Sequence, residues 1–201
     1  MNQKAVSRLF ARKKGVTYDS LNLIVAHMGG GVSVGVHSKG RVIDVNNALD
    51  GEGPFSPERS GTLPAGQLIE ACFSGNFSEE EIRKMVTGEG GLVAYLQTNS
   101  MLEIEDQALE GDANSKLLID AFCYQVSKAI GEMAPVLKGK IDAIILTGGI
   151  ARSEWIVNEI CERVSFLAPV EVFAGEDEMA AMALNAQLML DGELIPMKYP
   201  H

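Results

Sequence analysis

Leu21-Asn22-Leu23-Ile24-Val25-Ala26-His27-Met28-Gly29-Gly30-Gly31-Val32-Ser33-Val34-Gly35-Val36 is an apolar run broken by three glycines and resumed as a second apolar run. The pattern predicts strands over 21–28 and 31–38 joined by a tight turn, and so antiparallel neighbours. Three glycines carry no side chains and take positive φ freely, so their backbone can come close to another group. Exposed N–H groups on such a turn suit phosphate oxygens. Gly29, Gly30 and Gly31, with His27 before them and Ser33 just beyond, are candidates for a phosphate grip. An ordinary hairpin turn explains the same residues, and His27 also reads as a satisfied strand-end histidine. The rest of the chain weighs between these readings.

Outward from this pair, Ser38-Lys39-Gly40-Arg41 makes a second turn into a third strand at 41–47. Residues 48–63 are dense in Gly, Pro and Ser and form a loop, long enough to favour function over mere connection. Helical patterns follow: Pro64 to Phe73, a capping-box sequence at Ser78-Glu79-Glu80-Glu81, Leu92–Leu96, 101–110, and a long one from Ala113 to Leu137. Ile141–Thr147 reads as a buried parallel strand ending in Gly148-Gly149, followed by a helix at 152–164. Val170–Phe173 is another strand, ending at Gly175 before a helix at 177–190. The N-terminus predicts a basic amphipathic helix with Val6, Leu9 and Phe10 on one side. Three meandering strands, a helical block and then strand–helix–strand–helix make a mixed α/β order.

With 201 residues, 46% of them apolar and 22% charged, the chain can bury one good core. No apolar run reaches the length of a membrane span, and the basic N-terminus lacks the apolar core of a signal peptide. A net charge of −10 argues against a general electrostatic hold on nucleic acid, though an anionic nucleotide can still be bound locally. Cys72, Cys123 and Cys161 have no metal-ligand spacing and read as buried free thiols of a reducing, cytoplasmic protein.

In an open α/β sheet ligands bind at the carboxyl ends of the strands. Here three such ends carry glycine or acid. Besides the 27–33 turn there is Thr147-Gly148-Gly149-Ile150-Ala151, where small residues either make a tight strand-to-helix turn or leave a flat shelf for a ring or sugar. Third is Gly175-Glu176-Asp177-Glu178. Carboxylates at a helix start gain about 0.3–1 kcal/mol from the dipole, which explains them without a ligand. The alternative is an oxygen set, direct or through water, for a phosphate-bound Mg²⁺. Arg59 in the long loop is either a solvated arginine or a planar fork for a carboxylate or a transferring phosphoryl group. Phosphoryl transfer needs donors around the spreading charge, a divalent cation and accurate positioning, and these elements supply most of that.

The segment Asn22–Gly35, the segment Gly40–Gly61 with its Asp50-Gly51-Glu52-Gly53-Pro54-Phe55-Ser56-Pro57-Glu58-Arg59-Ser60-Gly61 loop, Asp142–Ala151 and Gly175–Met179 resemble the butyrate kinase branch of the acetate kinase family. The resemblance covers nearly the whole chain. It implies an actin-like ATPase (ribonuclease H-like) domain, its mixed sheet built of three antiparallel strands plus parallel ones and flanked by helices, with a helical insertion at about 64–110. It implies phosphate transfer between ATP and butyrate, giving butyryl phosphate and ADP, with Mg²⁺. Under it the 27–33 turn is the second phosphate element and Thr147–Ala151 the adenosine element. Arg59 is the active-site arginine, Asp44 a third-strand aspartate near the site, and Glu178, or Asp177 one residue away, the carboxylate near Mg²⁺.

Members of that family also have a first half carrying another phosphate element, a further arginine, an aspartate and a histidine. None of these is found here, which implies a C-terminal half only, inactive or nearly so without a missing N-terminal half. The relatives' dimers imply a homodimer or higher oligomer. Two other readings stand beside the carboxylate kinase: a non-catalytic nucleotide-binding or oligomerisation module, and another actin-fold ATPase such as a sugar kinase relative. The full Asn46–Gly61 loop argues against the last.

Overall fold

A sheet organises the chain in the computed structural model, which describes residues 2–175, 183 and 186–192. Its strands are β1 (Asn22–Met28), β2 (Val32–Ser38), β3 (Arg41–Val45), β4 (Ala143–Gly148) and β5 (Val170–Ala174), in the spatial order β3-β2-β1-β4-β5. β1–β2 and β2–β3 are antiparallel, as their tight turns require, while β1–β4 and β4–β5 are parallel. The register sets His27 opposite both Ser33 on β2 and Thr147 on β4, so these three residues form one row across the sheet.

Alternation sends the two sides of each strand into different cores. Ile24, Ala26, Met28, Val34, Val36, Ile144 and Leu146 face α6 (Ala113–Met133) and α7 (Glu154–Val164), packing on Phe122, Val126, Ile130, Ile156 and Ile160. Each such fully buried side chain contributes roughly 1.5–3 kcal/mol relative to exposure. On the opposite side Leu23, Val25, Ala143 and Ile145 meet α1 (Asn2–Lys14) through Phe10 and Ala11. Leu9, expected on the apolar side of that helix, is half exposed; the inward positions are Ser7, Phe10 and Ala11, spaced three and four apart.

The long helix stops at Met133, short of the expected Leu137, and Ala134–Leu137 tightens into a 3-10 turn. Pro135 has no N–H to continue the ladder. Likewise Ile150–Arg152 is a 3-10 turn, and α7 begins only after Ser153, whose Oγ accepts from the Ile156 N–H. Between β3 and α6 the chain forms α2 (Ala65–Phe73), α3 (Glu79–Val86), α4 (Gly91–Leu96) and α5 (Met101–Leu109). The capping box at α3 is formed, with Ser78 and Glu81 satisfying each other's backbone N–H. α2 and α3 bury none of their residues, whereas α5 sends Met101 and Ile104 into the core. Of the cysteines only Cys123 is buried; Cys72, on α2 with none of its residues buried, is exposed, and Cys161 is half-buried. Among the described residues no helix is long and apolar enough to cross a membrane.

Candidate functional site

The turn after β1 is pinned from the long loop. Gly30's carbonyl accepts from the Ser56 hydroxyl at 2.7 Å and the Glu58 N–H at 3.2 Å. Gly31 lies against the guanidinium of Arg59: a Cβ there would be 2.0 Å from Nη1 and 2.5 Å from Cζ. Arg59 Nη1 in turn donates to the Ala48 carbonyl at 2.8 Å. Gly91 admits this arrangement, since a Cβ at its positive φ would meet the Ser56 carbonyl oxygen. The result is an open cleft of about 680 Å³ lined by His27, Gly29, Gly30, Gly31, Ser33 and Arg59, with Asn46, Leu49 and Glu58.

Three of these lining residues were not singled out from sequence. Asn46 braces the wall, accepting from the Val34 N–H and donating to the Val32 and Glu52 carbonyls. Glu58 places a carboxylate beside Gly30, held by Asn99 Nδ2 at 2.6 Å. Leu49 is shared with a larger apolar cavity of about 860 Å³ under α2 and α3. The density of Asn, Gly and Pro at 46–61 signalled a built loop, but not which side chains turn inward.

The ends of the parallel strands lie side by side. Gly148, at φ +97°, packs on Met28, where a Cβ would come within 2.2 Å of the carbonyl oxygen. Gly175 donates its N–H to the Gly148 carbonyl at 2.9 Å. Gly149 is exposed with open space around it, whereas Ile150 and Ala151 are buried in the core and Thr147 is fully buried. Of the shelf residues, then, only Gly149 is exposed. Asp44 is not brought to the cleft: it pairs with Val36, whose side chain enters the helical core, while its neighbour Val45 lines the cleft. Asp177 and Glu178 lie outside the described residues.

A phosphate-bearing ligand fits this arrangement. The glycine turn leaves backbone and guanidinium uncovered, and Thr147 Oγ1, in the same row as His27 and Ser33, is buried with no hydrogen-bond partner among the described residues. No group of three or more His, Cys, Asp or Glu gathers among the described residues to hold a metal.

A sheet in the order β3-β2-β1-β4-β5, antiparallel on one side and parallel on the other, with helices on both faces, has the layout of an actin-like domain. Residues 2–180 match the sequence signature of the Acetokinase family, and the chain belongs to that family. It is similar to butyrate kinase 2 of Clostridium acetobutylicum, at 54% identity over 199 residues, 99% of this chain and 56% of that protein. In structure it is similar to Porphyromonas gingivalis acetate kinase, with a TM-score of 0.83 at 20% identity over 94% of this chain and 54% of that one. It is also similar to a propionate kinase from Francisella tularensis, with a TM-score of 0.78 at 27% identity over 90% of this chain and 52% of that one. The mixed, helix-flanked sheet expected from sequence is thus the fold found. The chain spans about half the length of the relatives it matches. One expectation is corrected: the reading as a C-terminal half only gives way to family membership along nearly the entire chain, since the signature covers residues 2–180 and the match to butyrate kinase 2 runs over 99% of this chain.

Proposed function

We propose that this chain binds ATP or ADP in the cleft between the Gly29–Gly31 turn and Arg59 and serves phosphoryl transfer to a short-chain carboxylate, butyrate, with acyl phosphate as the other product. The observation that carries the reading is the seat of the Arg59 guanidinium on Gly31, which sets a rigid fork of N–H donors, one of them given to the Ala48 carbonyl, at the mouth of the glycine turn. Transferring phosphoryl groups spread negative charge over three oxygens, and fixed donors stabilise that charge without reorganising. Gly149 supports a nucleoside lying against the neighbouring strand end, its missing side chain leaving the backbone open. Leu49, apolar and beside Arg59, supports an acid with a short aliphatic tail. Mg²⁺ belongs to the reading as the companion of the nucleotide's phosphates; Asp177 and Glu178 remain its proposed ligands.

Titration calorimetry with MgADP and MgATP tests the site, and butyryl phosphate-dependent ATP formation from ADP tests the reaction. Saturable nucleotide binding that is lost in Gly149→Phe, with butyryl-dependent ATP formation, is the expected result. Absence of nucleotide binding overturns the reading; binding without turnover assigns the chain to a nucleotide-binding module. Self-association is part of the proposal as well: Ile69, Phe73, Phe77 and Met85 on and beside α2 and α3 are exposed, and apolar area of this kind favours pairing with a second copy. Light scattering decides it, a monomer refuting the association.

A further inference from the structure

Behind the cleft wall runs a partly buried line of polar groups that phosphate handling does not by itself explain. Gln3, on the first turn of α1, lies over β2 in a space that only Gly35 leaves open, since a Cβ at Gly35 would be 2.3 Å from Gln3 Oε1. Gln3 Nε2 donates to the Ser33 hydroxyl oxygen at 3.0 Å and to the Ser33 carbonyl at 3.3 Å. Its Oε1 meets His37 Nε2 at 3.1 Å. On the far side of the ring, His37 Nδ1 meets the Tyr18 hydroxyl at 2.7 Å and Ser7 Oγ at 3.2 Å. His37 is completely buried.

The chemistry of these groups leaves one direction for the protons. The Ser33 carbonyl can only accept, so the amide NH₂ of Gln3 must face it and Oε1 must face His37. Oε1 can only accept, so His37 carries its proton on Nε2 and Nδ1 is an acceptor. Ser7 gives its single hydroxyl proton to the Gln3 carbonyl at 2.7 Å, so its 3.2 Å approach to Nδ1 is a contact with no proton between the two atoms. Tyr18 is left to donate to Nδ1. The sequence is therefore Tyr18 O–H to His37 Nδ1, His37 Nε2–H to Gln3 Oε1, and Gln3 N–H to Ser33 Oγ. At its end the Ser33 oxygen is already accepting, and its own proton has no acceptor among the described residues. Ser33 lines the cleft.

We propose that Gln3 and His37 are positioning residues whose oriented hydrogen bonds turn the Ser33 hydroxyl outward as a donor to a phosphate oxygen in the cleft. This rests on the reading of the cleft as a nucleotide phosphate site. A serine free to rotate can place its proton in any direction; one that accepts from a fixed amide has that direction taken, and its proton is turned away from Gln3. Neutrality of the ring is needed, and burial lowers His37 to about 4, with Lys4 adding a smaller push in the same direction. Burial likewise raises Tyr18 to about 12, against the opposing pull of Arg8, so its hydroxyl stays a donor through neutral pH. Gln3, His37, Ser7 and Tyr18 come from α1, β2 and the turn between α1 and β1, and the line joins them to the cleft from behind.

Two measurements test the proposal. Imidazole ¹⁵N NMR of the unaltered chain reads the tautomer directly, and a proton on Nε2 with Nδ1 free is expected; a proton on Nδ1 overturns the assignment without reference to any ligand. Second, ADP and adenosine are titrated into the chain, Gln3→Met, Ser33→Ala and the double variant. Gln3→Met and Ser33→Ala should each weaken ADP about tenfold, the scale of one hydrogen bond to a charged group, and leave adenosine unchanged. The double variant should be no weaker than Ser33→Ala alone. Additive losses, or equal losses for adenosine, refute the relay while the nucleotide site stands. If the unaltered chain binds ADP no better than adenosine, the phosphate reading fails and the proposal with it. Should Gln3→Met not fold, the tautomer measurement still decides.

Discussion

Replacing Gly31 by alanine isolates the contact on which the proposed function turns. Gly31 does not sit at positive φ, so alanine suits its backbone; what alanine cannot avoid is Arg59, whose Nη1 and Cζ would lie 2.0 Å and 2.5 Å from the new methyl. The guanidinium is the far end of a flexible side chain and will move, giving up its 2.8 Å bond to the Ala48 carbonyl. A hydrogen bond from a charged donor contributes about 1.5–3 kcal/mol, with the lower end appropriate to a half-buried arginine that can rehydrate. Gly→Ala at a compatible site returns about 0.4–1 kcal/mol by narrowing the unfolded ensemble. Gly31→Ala should therefore fold, destabilised by about 1 kcal/mol in urea denaturation. Its affinity for ADP should nonetheless fall at least tenfold in calorimetry, because the displaced fork no longer faces the turn. In an Arg59→Ala background the same glycine change should do nothing further. Wild-type affinity in Gly31→Ala would refute the role given to Arg59.

Further outcomes follow from the same geometry. Gly148→Ala should be far more damaging than Gly31→Ala, with more than about 2 kcal/mol lost by chemical denaturation, because its Cβ meets the Met28 backbone at positive φ and neither can yield. His37 has a native value of about 4 against 6.5 for the free side chain, so between these values the unfolded chain binds more protons than the native one. Stability should then fall as pH drops from 6.5 towards 4, by up to about 3 kcal/mol, and the His37→Gln variant should lose this part of the slope. Burial pushes the Cys123 thiol up to about 12, so in the native state a thiol reagent should reach exposed Cys72 first and Cys123 only on unfolding, which a timed labelling experiment reads.

Much of the fold could be read from residue order because its determinants are local. The alternation of Leu23, Val25 and His27 with Ile24, Ala26 and Met28 assigns the two faces of β1, and the turns at 29–31 and 39–40 leave antiparallel pairing as the only option. Element ends were less legible where a neighbour decides them, as Pro135 does for the last turn of α6 and Ser153 for the first of α7. α2 and α3 followed their helical pattern yet left their apolar residues uncovered, a matter of what packs on them and not of periodicity.

The site divides along the same line. Glycines announce backbone approach, and Gly29–Gly31 and Gly148 do lie at adjoining strand ends because parallel pairing of β1 with β4 brings them there. Side chains that act across the sheet carry no such signal. Asp44 and Val45 are neighbours in sequence on opposite faces, and only the register with Gly35 and Val36 says which one meets the cleft. Gln3 is thirty residues from Ser33, and nothing near either announces their bond. Its one trace in the sequence is Gly35, a glycine in mid-strand where a side chain would ordinarily strengthen the sheet. An empty position inside a strand marks where another group must come close, and here that group is the amide that holds the serine.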